Sequence, residues 1–474
     1  MTLANDAYSR RWLIASVVLI GTWVGTLGNS MIPVALPSII KDYGIGKDEG
    51  VWIISIYTLL VGVLMPVFGW LGDRYGYRLL YSSTLIALAV FNGAAALAPN
   101  FGLLMTFRVL QGIFNAPTLV AVMAIISEVF PREERGAAMG FWATVNGAAH
   151  GFGPIISGFL VEHVAWQSIF WINGITALLG GLAVFYLVPS DHKDIKRPFD
   201  LIGSASFTIG MLIFMFVLSR GSTYGWTSPL ILGLWTGLFG LLAVFITTER
   251  QVEKPFIELS LFGNRPYMMI VAINAAQFFC MMGLPVLLAF FFIDVQDRSS
   301  DISGLLIAPL ASTLALSSPF GGKVADRVGF RNSMLIGMPL VALTAVSMTF
   351  WDVPTPAGLI IITLIICGIG MGLIQSPAAT GVTLVVPKEQ LGVALGVFNM
   401  FRFVSGTLSV TTFGLILDQA EVKGLSELGA IHVGFYLVIA AACLAVLLAG
   451  VMPQHTVTET RVTRPSRVIQ EKHL

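Results

Sequence analysis

Long apolar runs, broken at short intervals by clusters of Gly, Pro and charge, follow one another from residue 12 to residue 452. A helix that crosses a bilayer needs about 20 predominantly apolar residues. Runs of that kind fall at 12–37, 51–71, 79–98, 101–127, 137–161, 167–188, 200–219, 228–247, 267–293, 302–322, 332–351, 357–378, 391–417 and 430–452. They predict an all-α membrane protein with fourteen spanning helices, numbered here as spans 1 to 14. Pro33, Pro154, Pro285 and Pro309 lie inside runs, where neighbouring helices can satisfy the backbone groups a proline frees. The connections are too short to hold a soluble domain. Residues 248–266 mix charges with Phe256, Ile257, Leu259, Leu261 and Phe262, the pattern of an amphipathic segment lying on a membrane face. From 453 the chain turns polar, which predicts a disordered tail.

Composition agrees with this reading and narrows it. Hydrophobic residues make up 56% and charged residues 11%, against roughly a quarter charged in soluble domains. A net charge of +1 offers no field for nucleic acid. The three cysteines, Cys280, Cys367 and Cys443, all sit in apolar runs, so neither a disulfide framework nor a zinc site is expected. The first apolar run is too long for a signal-peptide core, and no small-residue cleavage site follows it. Placing the N-terminus in the cytoplasm puts twenty of the 27 Lys and Arg residues on the cytoplasmic side. Five lie opposite (Lys41, Lys47, Arg220, Arg298 and Lys423), and Arg108 and Arg402 fall within spans. That asymmetry predicts an inner-membrane protein with both termini cytoplasmic.

Two loops repeat. Gly69–Arg78 reads GWLGDRYGYR, and Gly322–Arg331 reads GKVADRVGFR. Gly, Asp, Arg, Gly and Arg recur in register, at positions 69, 73, 74, 76 and 78 and again eight spans later, where Asp326, Arg327 and Arg331 include the charged members. The offset of 253 residues exceeds what two adjoining halves of six spans would give. It argues for a six-plus-two-plus-six plan: a bundle over 1–190, an inserted pair and cytoplasmic linker over 191–266, a second bundle over 267–452 and the tail 453–474. Such repeats are how secondary transporters build alternating access around a midplane site. An Asp opening a helix can cap free N–H groups and meet the positive helix end. The neighbouring arginines can pair with it, or with a nearby helix end, in one conformation only, and the glycines permit a tight turn.

These motifs resemble the major facilitator superfamily. Gly69–Arg78 looks like its motif A, and Arg108-Val-Leu-Gln111-Gly112 is similar to motif B of span 4. Gly153-Pro154-Ile-Ile-Ser157-Gly158 resembles the antiporter motif C of span 5, with Ser157 in place of a glycine. Val34-Ala35-Leu36-Pro37, the segment PREERGAAMG at 131–140 and the span count are similar to the fourteen-helix drug/proton antiporter subfamily. The resemblance implies two rocking bundles, with spans 1, 4, 9 and 12 around a central cavity. There is one departure. The subfamily usually has an Asp nine residues before the Pro of its A-L-P signature, where this chain has Gly28, followed by Asn29 and Ser30. No Asp or Glu lies near the middle of any predicted span.

Polar groups inside a membrane are costly, which makes each a candidate site. Arg108, Gln111 and Asn115 share one face of span 4; Arg108 is read either as supporting proton transfer or an anionic group, or as a hydrogen-bonding anchor. Asn146 and His150 lie four residues apart in span 5. A lone membrane histidine is commonly a packed core residue, but in the absence of a central acid His150 is the group that titrates nearest neutral pH. Gly153, Pro154 and Gly158 set helix approach and bending. Asn274, Gln277 and Met281 align in span 9 beside Phe278, either as a helix-packing contact or as an adaptable cavity wall. Gln375, Asn399 and Arg402 on spans 12 and 13, with Trp23, Asn29 and Ser30 on span 1, complete the expected cavity. Tyr224, Trp226 and Trp351 are read as interfacial anchors.

The function expected is a monomeric exporter of small hydrophobic or amphipathic compounds, surrounded by membrane lipids, with the proton gradient as energy source and no cofactor. The alternative is export of an endogenous lipid, fatty acid or secondary metabolite, to which the missing acid and the two arginines add weight. Nothing in the sequence supports a membrane enzyme: there is no metal-ligand cluster, no paired carboxylates at depth and no nucleophile–base set. No G-x-x-x-x-G-K-[ST] loop is present for a nucleotide-driven pump.

Overall fold

The structure is a computed structural model that describes residues 10–453, apart from 132–133, 190–199, 253–254, 256, 258, 388–389, 423 and 425. The side chains of Asp73 and Asp326 lie outside the described residues, as do part of the 131–140 segment and the tail from 454. Fourteen crossing elements are present. Span 1 is Arg11–Ser30 continued by Ile32–Tyr43, and span 2 is Lys47–Gly50 continued by Trp52–Tyr75. Spans 3 to 8 are Tyr77–Ala96, Phe101–Val129, Arg135–His163, Ser168–Leu187, Leu201–Tyr224 and Pro229–Gln251. Spans 9 to 14 are Arg265–Phe290, Ser300–Val328, Phe330–Met348, Ala357–Val385, Leu391–Val422 and Glu427–Val451. Thirteen are apolar enough to cross a membrane by composition. Span 5 is the fourteenth; its glycines, Asn146 and His150 lower its mean hydropathy, but its 29 residues suffice for the crossing.

Helix neighbours repeat with a shift of eight. Spans 1·5, 1·6, 2·4, 3·4 and 3·6 pack together in the first half, and 9·13, 9·14, 10·12, 11·12 and 11·14 in the second. The halves meet along two seams that the same shift interchanges, 5·10 and 2·13. Spans 7 and 8 pack on each other, and span 7 also lies against spans 2 and 13. There Met215 joins Leu59, Val63 and Val404 in one apolar cluster. Arg220 fixes the inserted pair further, through Asp48 at 2.9 Å and Glu49 at 3.1 Å.

Two expectations are corrected. Asp73 does not open a helix: span 2 runs through it to Tyr75, and the chain turns at Gly76 with φ 89° before span 3 starts at Tyr77. Gly329, φ 86°, does the same between spans 10 and 11, which leaves Asp326 in a last turn. Only glycine adopts this φ without steric strain, so the break falls there and not at the acid. Trp351 is no interfacial anchor. It is 1% exposed, packs against Phe291 and Phe435, and its carbonyl bonds the His432 ring at 2.9 Å. Tyr224 and Trp226 are exposed.

Candidate functional site

The polar residues of span 4 lie inside the first bundle. Arg108 is 2% exposed; its Nε donates to the Ile53 carbonyl at 2.8 Å and its Nη1 to Gln111 Oε1 at 2.7 Å. Its guanidinium lies over the Tyr57 ring, 4.3 Å from the centroid. Gln111 passes the network on to the Phe91 carbonyl at 3.0 Å. Asn115 accepts from Thr118 at 3.2 Å. These groups line a small cavity with Val24, Gly28, Leu88, Asn92 and Asn173. In the second bundle Asn274 and Gln277 are equally buried, and neither side chain has a hydrogen-bond partner. These five polar residues are thus interior to their bundles, and Phe278 and Met281 belong to the buried apolar core.

Trp23, Asn29, Asn146, His150, Gln375, Asn399 and Arg402 are half-buried, and contacts between the bundles run through Asn29, His150 and Arg402. Asn29 Nδ2 crosses from span 1 to the Met282 sulfur on span 9, at 3.8 Å. Asn146 donates to Thr26 Oγ1 at 2.9 Å, and its carbonyl meets His150 Nδ1 at 3.0 Å. Arg402, on span 13, is within electrostatic reach of His150 and sits over the Phe278 ring at 4.4 Å. Asn399 donates to the Leu395 carbonyl at 2.9 Å, a bond within its own helix. The result is a wall of aromatic, thioether and amide groups in which His150 and Arg402 are the ionisable members. Thioethers and rings suit ligands of varied apolar shape.

The motif A turns bind helix ends in matching ways. Arg78 donates to the Phe185 carbonyl at the end of span 6, from Nε at 3.0 Å and Nη2 at 2.5 Å. Arg331 donates to the Ala449 and Gly450 carbonyls at the end of span 14, at 3.0 and 2.5 Å. Each arginine thus meets carbonyls left over at the negative end of the last helix of its own half. Arg74 lies over Trp70 and Tyr75, Arg327 is exposed, and Gly69 faces Val120.

Motif C lies on a seam. Gly147, Gly151, Pro154 and Gly158 share one face of span 5 and meet Ala315, Ser312, Gly304 and Ser300 of the antiparallel span 10. A Cβ on Gly158 would collide with the Ser300 carbonyl, and one on Gly304 with the Pro154 carbonyl. Small residues of this kind let membrane helices approach closely. Gly153 faces span 1 at Ser30, whose hydroxyl donates to the Ala149 carbonyl at 3.1 Å. Ser157 donates to the Met31 carbonyl at 2.6 Å, where span 1 is interrupted ahead of Pro33.

Sequence reading missed the contacts at the face opposite the motif A turns. Lys47 bridges Asp294 at 3.0 Å and Glu427 at 2.5 Å, which joins the first bundle to two elements of the second. Beside it, Glu162 at the end of span 5 accepts from the Ser300 amide at 3.0 Å. Each of these residues is an ordinary charge at a span end in the sequence; only the folded chain brings them together. Among the described residues, Lys47 makes the ion pairs that cross between the bundles.

Two repeated six-helix bundles, joined by small-residue seams around a half-buried wall and latched at one face, define a membrane transporter of the alternating-access kind. A profile of the Major Facilitator Superfamily matches residues 18–410, and the chain belongs to that family. It is 30% identical over 408 residues to a Mycobacterium tuberculosis protein called multidrug resistance protein Stp, which covers 85% of this chain and 75% of that one. It is 27% identical over 417 residues to a riboflavin transporter, RibZ, of Clostridioides difficile, covering 87% of this chain and 89% of that one. The fold is also that of a bacterial homologue of the human lysosomal transporter Spinster, with TM-score 0.65, 14% identity, and 93% of this chain and 95% of that one covered. Its kinship is with the drug/proton antiporter-like members of the family.

Proposed function

We propose that the protein exports hydrophobic or amphipathic compounds, driven by the proton gradient, as a monomer in the inner membrane with both termini cytoplasmic. The observation that carries this is the inter-bundle wall, where Trp23, Asn29 and Met282 lie with His150 and Arg402 between two bundles that share no continuous helix. A multidrug resistance protein among the relatives supports the substrate class. His150 is the proton-carrying candidate, with Arg108 as its supporting charge. The motif A turns, with Gly69, Asp73, Arg74, Gly76, Arg78 and their repeat Asp326, Arg327 and Arg331, act as the gate on the cytoplasmic face. A second reading is export of an endogenous lipid, fatty acid or secondary metabolite, neutral or anionic. The glycine at 28 and the cationic Arg402 on the wall favour it.

The test is transport in proteoliposomes under an imposed pH gradient, comparing a lipophilic cation, a lipophilic anion and a lipid. The gradient accelerates movement of the amphipathic solutes, and His150→Ala abolishes that acceleration while leaving exchange down a solute gradient. Retention of full pH dependence in His150→Ala removes His150 from the mechanism. Movement of the lipid alone selects the second reading.

A further inference from the structure

Among the described residues, no nearby carboxylate neutralises the charge that the first bundle holds at Arg108. Arg108 Nη2 is buried without a hydrogen-bond partner, although Nε and Nη1 are both engaged. A guanidinium does not lose its proton in a protein, and a buried charge is stable only when paired. The adjoining cavity has space of ≈ 10 Å³, about that of one water molecule. None of the residues lining it is Asp or Glu. Gly28 is among them, and a Cβ built there would stand 3.2 Å from Asn173 Nδ2. That amide holds only the Met31 sulfur, at 3.9 Å, and its Oδ1 has no partner. Turning it over, an assignment open at any Asn, presents a second donor to the cavity. A water would complete the hydrogen bonding of Nη2 but add no negative charge to what the Tyr57 ring face supplies.

We infer that this cavity binds one small monovalent anion of halide size, as the counterion of Arg108. The inference does not depend on what the protein transports. The cavity's small volume suits a monatomic anion better than a free organic acid, whose carbon skeleton needs further room. A side-chain carboxylate tethered at position 28 would occupy the same space from the backbone, after a shift of a few tenths of an ångström by Asn173.

The experiment uses the full chain in detergent or nanodiscs, with chloride replaced by gluconate at constant ionic strength and bromide then added. The unfolding temperature rises by a few degrees and saturates with bromide, as expected for a ligand bound by the folded state alone. Gly28→Asp keeps its unfolding temperature in gluconate and loses the bromide response. Arg108→Gln, where it folds, also loses it. Equal unfolding temperatures of the unaltered protein in gluconate and bromide would overturn the inference and assign the cavity to water. A bromide response that persists in Gly28→Asp would also overturn it, because the salt then acts elsewhere.

Discussion

Ser157 stands where the motif C that this segment resembles has a glycine, and its hydroxyl bonds the Met31 carbonyl at the interruption of span 1. In a membrane there is no water to take over that acceptor. Ser157→Ala removes that bond and costs about 0.5–1.5 kcal/mol, read as a lower unfolding temperature in detergent. An unchanged unfolding temperature would mean the bond contributes nothing net. The departure from the motif was legible in the sequence but its partner was not, because the bond spans 126 residues. The same limit applies to the aromatics. Trp226 and Trp351 have similar surroundings in the sequence, yet one is exposed and the other lies in the core between Phe291 and Phe435. Arg108, Gln111 and Asn115 were legible as a polar face turned inward, since their spacing is that of one helix side. Whether that face met the other bundle or a small cavity within its own depended on neighbours from four other spans.

At the scale of elements, the seams decide how the helices can move. Span 5 and span 10 touch through carbonyls and α-carbons at Gly158 and Gly304, so no side chain cushions the contact. Gly304→Leu forces the helices apart at the end nearer Lys47. Membrane insertion is expected to be normal, since each helix satisfies its own backbone. Transport falls about tenfold, a barrier increase of roughly 1.4 kcal/mol, and a cysteine placed at Ser300 becomes more reactive toward a membrane-impermeant thiol reagent. Wild-type transport by Gly304→Leu would show that close approach is not needed for cycling. Apolar run length was enough to find the fourteen spans, because an apolar run of that length has few other uses. Its ends were less legible: span 2 and span 10 continue by about a turn beyond their apolar runs, through charged residues, to the first glycine that can reverse the chain.

For the whole molecule, the latch at Lys47 sets the balance between its two ends. Partly exposed pairs of this kind contribute about 0.2–1 kcal/mol each. Removing both with Lys47→Ala therefore shifts the conformational population by about fivefold, from roughly 1 kcal/mol. Spin labels on spans 2 and 14 at this face should show a longer-distance population, and raised salt should produce part of the same change through screening. Distances that stay fixed in the variant would mean that the seams alone hold the face shut. The overall plan was readable in the sequence from one number, the eight-span offset of the repeated loops, because that offset fixes which helices correspond. The latch was not readable, since Lys47, Asp294 and Glu427 come from three distant segments with no shared spacing. The inserted pair has an effect at this scale too. Span 7 lies along the outer side of seam 2·13, with Arg220 pinned at its end, whereas among the described residues the inserted helices make no extended contact with seam 5·10. The two flanks therefore present different surfaces to the surrounding bilayer. One junction lies behind an inserted helix, and the other shows its small-residue contact directly to the lipid.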